Sequence, residues 1–94
     1  MTIGVSHDPE TGTVVLVDAA EKKIYDFSPS KAHQVAAQLR AAAASGASAF
    51  VIATANDGRQ MRIGGTTEHA IAMGDDLDRN AELAMAIRQK RSAT

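Results

Sequence analysis

Residues 28–46, SPSKAHQVAAQLRAAAASG, spell out a helix together with both of its ends. Ser28 can accept a hydrogen bond from a free amide of the first turn, and Pro29 suits the first helical position. Ala32, Val35, Ala36, Leu39, Ala42 and Ala43 then recur at helical spacing and form one apolar stripe. Gly46 closes the segment, because glycine enters the left-handed conformation after a helix at little steric cost. A stripe this rich in alanine lets the helix axis come close to whatever it covers.

Thirty-eight residues later the first three turns are echoed by TTEHAIAMGDDL, starting at Thr66. Ser28, Ala32, Val35, Ala36 and Leu39 fall opposite Thr66, Ala70, Met73, Gly74 and Leu77. The echo predicts a second helix that starts after Thr66 as its cap and runs to about Lys90. Its stripe is Ala70, Met73, Leu77, Ala81 and Ala84, with Ile87 at the margin. Gly74 costs this helix up to about 1 kcal/mol relative to alanine, which a close crossing could offset.

Outward from the helices the pattern changes to period two. Residues 13–17 (TVVLV) and 49–54 (AFVIAT) are apolar on both faces, as in strands covered from two sides. Residues 23–27 and 60–63 alternate, and Asn56-Asp57-Gly58 between strands reads as a hairpin turn. Residues 2–6 add a short amino-terminal strand. The expected fold is α+β: two ββα units in one domain, residues 1–46 and 47–91, with a frayed tail at 92–94. Its sheet has four to five mostly antiparallel strands and carries two helices. The turns are matched at the same offset, with Asp18 opposite Asn56, Val14 opposite Ile52 and Tyr25 opposite Ile63.

Composition narrows the chemistry. The 94 residues hold one Tyr, two Phe and no Trp, so bulky core side chains are scarce. A domain of this size hides only about 60–65% of its unfolded surface, and pairing with a second copy would widen its margin. Ten basic residues balance eleven acidic ones, a poor match to a protein whose main task is gripping nucleic acid or an anionic membrane. There is no cysteine, which removes disulfides, thiolate metal sites and cysteine nucleophiles. No apolar run approaches a membrane span, and residues 1–12 do not read as a secretory signal, so a cytoplasmic protein is expected.

The constellations that could carry chemistry are sparse. His7, His33 and His69 lack the spacing of a zinc helix, and no serine lies in a Gly-x-Ser-x-Gly elbow. Asp75, Asp78 and Glu82 form an acidic stripe, which reads as a solvated face or as a docking strip for a basic partner. Gly64-Gly65-Thr66-Thr67 precedes a helix but lacks the lysine of a phosphate loop. Arg59, Arg62, Arg88, Lys90 and Arg91 could contact phosphates, in a strongly salt-dependent manner. Two helices on one face of a sheet would leave the other bare, exposing Val15 and Val17, or else Val14 and Leu16. With Val51 and Ala53 of the second unit, Val15 and Val17 form the candidate interface. Helices on opposite faces would instead bury both.

Phe27-Ser28-Pro29 leading into Ala32, Val35-Ala36 and Leu39 resembles small accessory proteins of actinobacteria and their bacteriophages. The likeness covers about 20 residues and carries over no functional ones. It implies an accessory protein that acts by binding, one that alters a host process. The expected function is therefore a non-catalytic, cofactor-free interaction or regulatory module, a homodimer that also binds a cellular protein. The alternatives are a nucleic-acid-binding regulator using the basic carboxyl-terminal end and a small-ligand or metal-dependent domain.

Overall fold

The computed structural model describes residues 3–46 and 48–92. Three strands, β1 (Ile3–Asp8), β2 (Thr13–Asp18) and β3 (Lys23–Phe27), form an antiparallel meander in the order β1-β2-β3. Asp8 and Asp18 start the two turns: Asp8 Oδ1 accepts from the amide of Glu10, and Asp18 Oδ1 from those of Ala20 and Glu21. Helix α1 (Pro29–Ala44) follows, then a hairpin of β4 (Ser48–Thr54) and β5 (Gln60–Thr66), then the 26-residue α2 (Thr67–Ser92).

The amino-terminal strand is present, and α2 starts directly after Thr66, as the echo predicts. Of the expected frayed tail, Ser92 ends the helix, and residues 93–94 lie outside the described residues. Both helices open with the same device. Ser28 Oγ accepts from the amide of Lys31 at 3.2 Å, and Thr66 Oγ1 from that of His69 at 3.2 Å. At its far end α1 closes on Ser45, one residue before Gly46. The amide and hydroxyl of Ser45 both donate to the Ala42 carbonyl.

One expectation needs correction. The five strands form two sheets, of three and two strands, rather than one. The reason lies at the edge of β3, whose outward carbonyls are taken by the β4–β5 turn instead of by a strand. The amide of Asn56 donates to Asp26 O at 2.8 Å, and Arg59 Nη2 donates to Ile24 O at 2.6 Å. The Arg59 guanidinium also lies 4.5 Å from the centre of the Tyr25 ring. The ladder stops there, but the hairpin stays hooked to the meander.

Both sheets share one core. Val14, Leu16, Tyr25 and Phe27 from the meander and Ala49, Ala53, Met61 and Ile63 from the hairpin meet the helices in a single cluster. The shortest dimension is 19 Å, the depth of one helix layer on one sheet layer. The largest fully buried side chains among the described residues include Phe27, Leu39 and Leu77. Burying each contributes about 1.5–3 kcal/mol. A two-stranded hairpin is marginal by itself and persists here because the helices cover its inner face.

The helices cross where alanine and glycine leave room. A Cβ added to Gly74 would sit 3.4 Å from the carbonyl oxygen of Ala36. The buried positions of α1 (Ala32, Val35, Ala36, Leu39, Ala43) and of α2 (Ala70, Met73, Gly74, Leu77, Ala81) correspond at the offset of 38. The strands do not keep that offset throughout. Tyr25 still corresponds to Ile63, but Tyr25 pairs with Leu16 whereas Ile63 pairs with Val51. From β2 to β4 the offset is therefore 35, and Val14 corresponds to Ala49, not to Ile52.

Candidate interaction surface

The face of the sheets turned away from the helices is apolar. On the meander it carries Val15 and Val17, both half-buried, with Ile24 paired to Val17 and 58% exposed. On the hairpin it carries Phe50 at 44% and Ile52 at 58% exposed. Gly4 and Ser6 of β1 stand opposite Val17 and Val15 and add little bulk over them. This arrangement follows from TVVLV and SAFVIAT, which have apolar side chains on both pleats while only one pleat meets a helix.

Of the four residues expected at an interface, Val15 and Val17 lie on this open face and Val51 and Ala53 do not. Ala53 is 1% exposed and points into the core, and Val51 packs against the same core. At the offset of 35, the counterparts of Val15 and Val17 are Phe50 and Ile52. The small side chains of Ala49 and Ala53 let the helix layer approach β4, which turns the larger Phe50 and Ile52 outward.

The basic residues do not gather into one surface. Arg88 Nε donates to Gly12 O at 2.7 Å, and Arg91 donates to the carbonyls of Glu10 and Pro9. Both tie the end of α2 to the β1–β2 turn. Arg59 is held by Asp57 and Ile24 O, and Arg62 lies over the Phe50 ring, 4.2 Å from its centre. Lys90 is exposed on the last turns of α2.

Two carboxylates of the acidic stripe turn toward α1. Arg40 reaches both Asp75 Oδ1 at 2.8 Å and Asp78 Oδ2 at 2.6 Å, and His33 Nδ1 donates to Asp78 Oδ1 at 2.6 Å. Partial burial pushes the Asp78 carboxyl up, but the hydrogen bonds from His33 and Arg40 outweigh it and hold it below the ordinary range. Glu82 is exposed, and Arg79 pairs with Asp76. His7 Nδ1 donates to Asn80 Oδ1 at 3.0 Å, joining β1 to α2. These cross-helix pairs escape a sequence reading because their partners lie more than 30 positions apart.

Gly64 and Gly65 belong to β5, not to a loop, and Thr67 Oγ1 donates to Gly46 O at 2.6 Å. With Phe50, Thr66 and His69 the two glycines line a shallow open cleft. Among the described residues no group of three or more His, Asp or Glu converges as a metal-ligand set, and no helix is long and apolar enough to cross a membrane. No protein-family model matches the chain, and no curated protein or solved structure is significantly similar to it.

Proposed function

We propose that this chain is a non-catalytic interaction module of regulatory type that works as a homodimer through its open sheet face. The observation that carries the reading is the exposure of Ile24, Phe50 and Ile52 beside Val15 and Val17 on the side the helices leave bare. A net charge of −1 sets little repulsion between copies. The basic-end reading is weakened because Arg88 and Arg91 are spent on backbone carbonyls. The role as modulator of a host process rests on the resemblance of residues 27–39 to phage accessory proteins.

Magnitudes set the expected affinity. Removing the exposed parts of Ile24, Phe50 and Ile52 from water yields about 1 kcal/mol each. Two copies together, with the valines, give on the order of 6–8 kcal/mol, against about 4–15 kcal/mol lost on association. The surplus is at most about 4 kcal/mol, so a weak dimer of about millimolar affinity is expected rather than a nanomolar one. Sedimentation equilibrium tests it. The wild-type chain should pass from monomer to dimer as concentration rises, and the Ile24→Ser/Ile52→Ser variant should stay monomeric with an unchanged circular dichroism spectrum. A wild-type chain that stays monomeric throughout refutes the reading.

A further inference from the structure

The open face carries opposite charges on different sheets, apart from Asp8 at the end of β1, whose carboxylate is already held by the Glu10 amide. Asp26 stands on β3 opposite Val15, and Arg62 stands on β5 opposite Ile52. Both are exposed. Among the described residues neither belongs to an ion pair, and the Asp26 carboxylate accepts no hydrogen bond, although its backbone carbonyl accepts one from Asn56. Arg62 stands apart from the other arginines. Arg40, Arg59 and Arg79 each meet a carboxylate, and Arg88 and Arg91 meet carbonyls. Arg62 meets only a ring.

An apolar patch with a cation on one half and an anion on the other is complementary to itself. In a two-fold contact, residue i of one copy meets residue j of the other while j meets i. We infer that the occupant of this face is a second copy of the chain, docked by two symmetric pairs in which Arg62 meets the partner's Asp26. Ile24, Phe50 and Ile52 fill the space between those pairs. This rests on the homodimer reading and adds its orientation. The same pattern is unsuited to a polyanion, which Asp26 would repel, and to a bare lipid surface, against which both charges would lose water without a partner. Opposite charges at matched positions steer the encounter and penalise the wrong register.

A charge-swap series read by sedimentation equilibrium in low-salt buffer tests this. Asp26→Arg and Arg62→Asp each place like charges against each other across the two-fold, and each should weaken the dimer about tenfold or more. The double variant Asp26→Arg/Arg62→Asp restores opposite charges and should return to within about threefold of the wild type. The milder Asp26→Asn and Arg62→Gln, which keep shape, should lose less than the reversals. Added salt should shrink all these differences. A wild-type dimer that both reversals leave unchanged, or a double variant as weak as the singles, overturns the pairing and leaves the homodimer standing. A wild type that is monomeric throughout removes the homodimer, and this pairing with it, and leaves the face to another partner.

Discussion

Ala36 and Gly74 face each other at the crossing of the two helices, and they occupy equivalent positions in the two halves of the chain. Arg40 and Asp78, also equivalent, form an ion pair of 2.6 Å one turn further on. Equivalent residues that meet each other mark a local two-fold through the crossing. The two halves are thus packed helix to helix.

Substitutions at the crossing should depend sharply on size. Gly74→Ala places a methyl at ordinary contact distance from Ala36 O and gains helix propensity, so it should stabilise the fold by about 0.5–1 kcal/mol. Gly74→Leu must push the helices apart and should cost about 1–3 kcal/mol. Thermal melts of both variants check this, with opposite signs expected.

Gly64 should tolerate nothing larger. Its φ is +134°, and an added Cβ would lie 1.9 Å from the carbonyl oxygen of Ala49 on the paired strand. Gly64→Ala should destabilise by about 2–4 kcal/mol, measured by urea unfolding. Gly4→Ala, where an added Cβ meets nothing within 4 Å, serves as the comparison and should differ little.

The acid limb of stability should run through Asp78. Its carboxyl is held below the ordinary value, so the contribution is complete above about pH 5 and is lost as pH falls through the folded value. Asp78→Asn should cost about 0.5–1 kcal/mol at neutral pH and flatten the acid limb, as followed by urea midpoints from neutral pH downward. His33→Gln and Arg40→Gln should each reproduce part of that loss.

Arg88 should prove structural. Arg88→Ala removes a half-buried bond to Gly12 O and should lower the melting temperature by about 4–8 °C, the equivalent of about 1 kcal/mol. Fluorescence anisotropy with duplex DNA at low salt should show no difference between wild type and Arg88→Ala/Lys90→Ala/Arg91→Ala.

Local signals made both helices legible. Ser28 with Pro29, and Thr66 three residues before its amide donor, set the starts, and the alanine stripes set the buried sides. What the sequence concealed was which pleat of β4 faces inward. SAFVIAT is apolar at nearly every position, so alternation offers no contrast, and the choice falls to size, with Ala49 and Ala53 inward. The echo also fails in the strands, because the two turns differ. Four residues separate β2 from β3 and five separate β4 from β5, and β4 starts further back from its turn. The cluster of His33, Arg40, Asp75 and Asp78 was illegible for another reason: it exists only once the helices cross.

The proposed dimer puts the contact on the bare sheet face, and not on the outer face of α2 with its exposed Ile71, Leu83 and Met85. Methyl and amide chemical shifts followed through a dilution series test it residue by residue. Concentration-dependent shifts are expected at Val15, Val17, Ile24, Phe50 and Ile52, with Ile71, Leu83 and Met85 unmoved. Shifts confined to α2, or none at any concentration, would contradict it.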